Sequence, residues 1–234
     1  MEAWKNSHYY LGVVREGSLS KPRIVHRLDA ATGGLLVVAK TKQSEIKLKD
    51  HFANRVCKKR YRAIVFGRLK SNGENINDDG DDAKEKDDTN YCGSIDFPVG
   101  GRPALTKYSI VSHSRSNHPK ANGWITTVDL FPVTGRKHQL RRHLQCIGHP
   151  IWGDLRYGPY LKEECQEEPL LGTDSAEDTI HANKYPHYHL CLWALEITFS
   201  HPCKEGVDVT ACIDEPLWYS ELRSVQDDQW KKDN

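Results

Sequence analysis

No apolar run in this chain of 234 residues approaches the ~20 residues that a membrane-spanning helix needs. The first residues, MEAWKNSHYYLGVV, contain no charged stretch followed by a long apolar one, so they do not read as a secretory signal. They are poor in Ser and Arg, and Glu2 and Glu16 argue against an organelle transit peptide. None of the seven cysteines forms a C-x-x-C pair, and their number is odd. That removes the usual signature of a disulfide framework. His187, His189, Cys191, His201 and Cys203 lie close together but match no standard zinc spacing. Cys57, Cys146, Cys191 and Cys212 have apolar neighbours and are expected to be buried, reduced thiols. The expected setting is intracellular, cytoplasmic or nuclear, with an organelle as the alternative. There is no internal repeat.

The length suits one large domain or two small ones, and buries roughly 70% of the surface of the unfolded chain. A net charge of +1 conceals an uneven distribution. Residues 71–90 carry eight acids against two lysines, and residues 161–186 carry seven against two. Removing these charges of −6 and −5 leaves +12 on the remainder. A basic body of that kind points to a polyanionic partner, and scattered surface lysines are the ordinary alternative. Both acidic segments are rich in residues that disfavour a packed core. They read as flexible insertions within one domain spanning 1–234.

The apolar run Leu35 to Ala39 suggests a fully buried strand. Gln43 to Cys57 reads as an amphipathic helix, with Ile46, Leu48, Phe52, Ala53 and Val56 near one stripe. Arg60–Leu69, Ala104–Ser112 and Trp124–Val133 are rich in β-branched and aromatic residues and read as strands. Lys137 to Gly148 reads as a short helix ended by its glycine. Cys191 to Phe199 and Val207 to Ile213 alternate as half-buried strands. The sum is an α+β fold, with a mostly antiparallel or mixed sheet and few helices.

Two basic runs stand out. KKRYR places Tyr61 among Lys58, Lys59, Arg60 and Arg62, and TGRKHQLRRH collects Arg136, Lys137, His138, Arg141, Arg142 and His143. Cations interleaved with an aromatic suit a phosphate backbone with a stacked base, although a solvated helix face gives the same pattern. In HRLDAATGG, Asp29 follows His26 and Arg27 directly before the apolar run. An Asp there is either a turn or cap residue, or a nucleophile or base kept ionised by a cation.

HRLDAATGGLLVVAKT resembles the signature of the RluA-type RNA pseudouridine synthases. KKRYRAIVFG, GGRPALTKY, VTGRKHQLRRHLQCIGHPIWGDLRYG and HLCLWALEITFSHP resemble further blocks of that family, in the family's order. The last carries LWA where the family usually has L-H-A. The resemblance runs from Arg23 to about Pro202. Family members normally have a strand and a Lys-Pro loop well upstream of H-R-L-D. Here His26 comes early, so the domain is expected to be shortened at its N-terminus.

The resemblance implies the pseudouridine synthase fold: a central mixed, mostly antiparallel sheet with flanking helices and a catalytic cleft. It also implies no cofactor, no metal, and RNA, ribosomal or transfer, as the partner. A monomer is expected. The implied reaction breaks the N1–C1′ bond of a uridine within RNA, rotates the uracil and joins C5 to C1′. Asp29 is then the nucleophile or proton acceptor, Arg136 its cationic partner, and Tyr61 lies against the uracil. A phenol is a reluctant base at neutral pH, so packing is the firmer expectation for Tyr61. A uridine in a stem must be flipped out, and Arg27 is placed to fill the vacated space. The remaining RNA contacts are expected from His26, Lys59, Arg62, Lys137, His138 and Arg141. A catalytically inactive RNA-binding homologue and a nucleoside hydrolase are the alternative readings.

Overall fold

A computed structural model describes residues 18–70, 92–159 and 189–233. Residues 71–90 and 161–186, the acidic segments, lie outside them. The first elements are β1 (Ser18–Ile24), β2 (Gly33–Gly34), β3 (Val38–Thr41), α1 (Lys42–Ala53) and β4 (Lys58–Phe66). Then come β5 (Gly93–Asp96), β6 (Leu105–Arg115), β7 (Trp124–Pro132) and α2 (Gln139–Cys146). The described chain closes with β8 (Leu192–Ser200), β9 (Asp208–Cys212) and α3 (Leu217–Asp233).

Among the described residues, seven strands form one sheet in the order β2-β8-β4-β7-β6-β5, with β9 also on β8. Only the β2–β8 pairing is parallel. The fold is therefore the expected α+β, with a mixed and mostly antiparallel sheet. β4 and β7 supply its centre. Ala63, Ile64, Val65 and Phe66 are all buried, as are Ile125, Val128 and Leu130, so this half of the sheet is covered on both faces. Leu140 and Leu144 of α2 and Tyr219 of α3 join the same core. A continuous apolar run in a doubly covered strand is what such burial requires.

β1 and β3 make a separate two-stranded sheet. With α1 it encloses a small second cluster of Val25, Ala39 and Leu48. Thr41 caps α1 by accepting from the Ser44 amide at 3.1 Å.

This region departs from the sequence reading. Leu35 to Ala39 is not one buried strand: Leu36 and Val38 are exposed, and Ala39 is buried. The run crosses from one sheet to the other. The Leu35 amide bonds to Ala194 of β8 (3.0 Å), whereas Val38 pairs with Ile24 of β1. The helix also ends earlier than Cys57, and Ile46 and Val56 are exposed. A thin two-stranded sheet has too little surface to cover a wide apolar stripe. Cys57 and Cys191 are buried as expected, but Cys146 and Cys212 are exposed.

Candidate active site

The Gly33–Gly34 pair delivers Asp29. β2 lies so close to β8 that a Cβ on Gly33 would fall 2.0 Å from the Trp193 ring, and one on Gly34 2.4 Å from the Ala194 carbonyl oxygen. Gly34 also has φ +106, a conformation that L side chains rarely adopt. The chain reaches this pair through a turn in which the Thr32 amide donates to the Asp29 carbonyl at 2.9 Å. The far end of the loop is tied by the Val37 amide, which donates to Nε2 of His26 at 2.9 Å.

His26 therefore fastens the Asp29 loop. Its ring stacks on Phe52, with centroids 4.4 Å apart. Burial, and secondarily the nearby Lys59 charge, lower its pKa to about 4. A neutral ring is what acceptance at Nε2 requires. His26, expected as an RNA contact, has a structural part here: one ring face lies on Phe52 and the accepting nitrogen holds the Val37 amide.

Asp29 opens onto a cavity of about 250 Å³. That is near the low end of the ~300–1,000 Å³ of small-molecule pockets, a size for one base rather than a duplex. Arg27, Lys59, Tyr61, Arg136, Lys137 and His138 also line it. Lys59 and Tyr61 come from one face of β4. Burial pushes the Tyr61 phenol up to about 12, and the Asp29 charge adds to the effect. Tyr61 is therefore a neutral phenol across the physiological range. Burial also lowers the pKa of Lys59.

The TGRKHQ segment forms the opposite wall, and a buried polar network holds it. The Thr134 hydroxyl donates to Gln139 Oε1 (2.7 Å), which also accepts from the Arg136 amide (3.0 Å). Gln139 Nε2 donates to the Leu105 carbonyl and to the Thr106 hydroxyl, both at 3.0 Å. Thr106 reaches Nδ1 of His143 at 3.0 Å, and Nε2 of His143 lies 2.9 Å from the Phe97 carbonyl. A carbonyl only accepts, so His143 carries its proton on Nε2 and Thr106 donates to Nδ1. Burial lowers the His143 pKa and keeps that neutral form. Gln139 was absent from the sequence candidates, and His143 entered them only as a member of the basic run. Their signal was spacing: two polar residues four apart on the same turn-to-turn stripe of a helix otherwise anchored by leucines.

Two candidates sit away from the cavity. Arg62 lies on the opposite face of β4, bound to both Asp129 oxygens (2.8 and 3.1 Å) and to Glu215 (3.1 Å). Strand alternation puts it opposite Tyr61. Arg141 is buried and grips both Asp154 oxygens at 2.8 Å. Its helical phase turns it inward, beside Leu144. Both expected RNA contacts are corrected to internal ion pairs.

Arg136 lines the cavity, but its Nε donates to the Pro103 carbonyl at 3.2 Å. A basic side chain within 4 Å of the Asp29 carboxylate is instead His138, whose Nε2 lies 3.9 Å from Oδ1. The cavity thus holds one carboxylate, a neutral phenol, and several basic groups at its walls. This set suits an ionised nucleophile or proton acceptor acting on a ring held between polyanion contacts.

Comparison with known proteins agrees with this architecture. Residues 5–146 match the family described as RNA pseudouridylate synthase. The "Dual-specificity RNA pseudouridine synthase RluA" of Haemophilus influenzae is 34% identical over 182 residues, covering 76% of this chain and 66% of its own. The protein of the same name from Vibrio cholerae is 38% identical over 142 residues, covering 58% and 51%. "Ribosomal large subunit pseudouridine synthase C" of Rickettsia prowazekii is 36% identical over 145 residues, covering 60% and 45%. The chain therefore spans between 45% and 66% of the length of these curated relatives. Among solved structures, "Human RNA Pseudouridylate Synthase Domain Containing 1" shares the fold, with a TM-score of 0.54 and 22% identity over 86% of this chain and 71% of that one. The match takes in the Asp29 loop, the β4 strand and the TGRKHQ wall, and by it this chain belongs to the RNA pseudouridylate synthase family.

Proposed function

We propose that this chain isomerises uridines to pseudouridines within structured RNA, ribosomal or transfer. The observation that carries the reading is that Asp29 and Tyr61 line one cavity together with Arg27, Lys59, Arg136 and Lys137. An ionised carboxylate there reaches C1′ or C2′ of a flipped nucleoside as its N1–C1′ bond breaks. The freed uracil turns within the cavity, C5 bonds to C1′, and the C5 proton leaves for a base or solvent. N1 gains a proton, so the product is an isomer and needs no oxidant or reductant. Tyr61, with its pKa near 12, supports the ring by packing and as a hydrogen-bond donor rather than as a phenolate.

Arg27, Lys59 and Lys137 are proposed to meet the phosphates around the flipped residue. Arg27 is exposed at the cavity rim, a position from which it enters the stack when the base leaves. A ribosomal substrate draws support from the name of the Rickettsia prowazekii relative, "Ribosomal large subunit pseudouridine synthase C".

The test is to incubate the purified chain with total RNA and map pseudouridine by mass spectrometry, with free uracil assayed in parallel. Pseudouridine at discrete uridines and no free uracil is the expected result. Free uracil would replace the synthase with a hydrolase. RNA binding without either product would leave an inactive homologue.

A further inference from the structure

We propose that His138 is the positioning residue for the Asp29 carboxylate, and that Tyr157 fixes which of its ring nitrogens faces that carboxylate. The role in turnover rests on the synthase reading above. The structural arrangement does not.

Nδ1 of His138 lies 3.0 Å from the Tyr157 hydroxyl, and Nε2 lies 3.9 Å from Oδ1 of Asp29. The ring is buried, with 6% of its side chain exposed. Burial raises the Tyr157 pKa, so its phenol keeps a proton to donate. With Nδ1 accepting a hydrogen bond from that phenol, the single proton of a neutral ring sits on Nε2, toward the carboxylate. The other tautomer would set a nitrogen lone pair against carboxylate lone pairs. At 3.9 Å the contact is longer than a hydrogen bond, and it has room to tighten when substrate closes the cavity.

A second observation comes from the backbone. His138 has φ 53 at the N-cap of α2 and makes no side-chain cap bond. Ser, Asn or Asp ordinarily holds an N-cap, where its side chain satisfies an amide. Here a residue in a costly left-handed conformation directs its side chain into the cavity instead. Tyr157 is itself braced. The Arg141 guanidinium lies 5.0 Å from its ring centroid, Asp154 holds Arg141 through two bonds, and Asp154 also accepts from the Tyr157 amide at 2.9 Å. A linked series from Asp154 through Arg141, Tyr157 and His138 thus ends at Asp29. It gives the WGDLRYG segment a role.

Lys59 and Tyr61 line the same cavity from β4, and Arg136 and Lys137 adjoin His138 along the chain. The cations disfavour a protonated His138, and Asp29 favours it. Removing the Asp29 charge therefore lowers the His138 pKa.

The decisive experiment uses the free protein labelled with ¹⁵N-histidine. Long-range ¹H–¹⁵N spectra at pH 8 are expected to show His138 as the Nε2–H tautomer, and an Nδ1–H tautomer would overturn the proposal. Asp29→Asn is expected to lower the His138 midpoint by at least about half a pH unit, and an unchanged midpoint overturns the coupling. Neither result depends on catalysis, so both stand even where no RNA is modified. With active wild-type protein, His138→Ala is expected to lower kcat at least ~10-fold with little change in KM. His138→Gln, whose amide donates from nearly the same place, is expected to recover most of it. Tyr157→Phe is expected to cost roughly 3- to 10-fold. Ala and Gln variants that fold normally and are equally slow would reduce His138 to packing.

Discussion

On one face of β4, Arg60 and Arg62 share Asp129, Arg60 also reaches Glu196, and Arg62 also reaches Glu215, itself bound by Arg223. On the other face, Lys59 and Tyr61 line a cavity whose one carboxylate is Asp29. The back face balances its charges internally and ties β4 to β7, β8 and α3. The front face gathers Arg27, Lys59, Arg136 and Lys137 around a single acid. A run of five residues, KKRYR, thus serves two purposes. Alternation separates them, and the acids available on each side decide which arginine or lysine is left to meet a polyanion.

Breaking the back face is expected to give the largest effect on stability. Asp129→Ala removes one of the two acids that hold each of two partly buried guanidiniums and should cost about 1–3 kcal/mol of unfolding free energy, measured by chemical denaturation. The rate of the folded fraction should stay within about threefold of wild type. A variant of normal stability but without activity would merge the two faces into one functional unit.

The front face should respond in the opposite sense. Tyr61→Phe is expected to slow tritium release from 5-³H-uridine in RNA by about tenfold, roughly the worth of one polar contact, with the melting temperature at pH 7 nearly unchanged. Because burial holds the phenol near 12, the wild-type rate should show no limb from Tyr61 between pH 8 and 10. A limb in that range, absent from the Phe variant, would mean an accessible phenol. Stability carries the same signature. A phenol raised above the ordinary ~10 contributes stability that is present below pH 10 and lost as pH rises toward 12.

His26 sharpens the comparison at acid pH. Its pKa is about 4 in the folded protein, against an ordinary ~6.5. The unfolded chain therefore binds more protons in that window, and stability should fall as pH drops from 6.5 to 4. His26→Asn keeps an acceptor for Val37 without a titrating ring, and should flatten this part of the melting-temperature profile. An equally steep profile in the variant would assign the acid loss elsewhere, with His143, whose pKa burial also lowers from the ordinary histidine value, next.

The smallest expected effect separates the lysine from the arginine on β4. Lys59→Ala should weaken RNA binding a few-fold and reduce the slope of log K against log salt by about 0.7–0.9. Arg62→Gln should leave that slope unchanged. Equal slopes for the two variants would contradict the division of β4 into two faces.

Much of the architecture was legible because its centre is made of strands with β-branched and aromatic runs. β4, β6, β7 and β8 follow from those runs, and α2 follows from Leu140 and Leu144. The missed elements lack such signals. β1, SLSKPRI, has Lys21 and Pro22 and only a two-stranded partner. β5 has four residues. α3 buries only Tyr219 and Gln226 of its seventeen residues, too few to mark a stripe. At the site, motif position brought Asp29, Tyr61 and Arg136 to one cavity. Parity along β4 would have separated Arg62 from Lys59 at once, given the strand. The roles of His138 and Arg141 were not readable, because each depends on a partner from the segment after α2: Tyr157 for one, Asp154 for the other.

The central claim is that Asp29 performs the chemistry while the rest of the cavity binds and holds the uridine. Asp29→Asn, assayed by tritium release alongside RNA affinity at one fixed salt concentration, addresses it directly. The account predicts a loss of turnover of at least ~10²–10⁴-fold, with RNA affinity and melting temperature close to wild type. Tritium release at the wild-type rate by the folded Asn variant would contradict it.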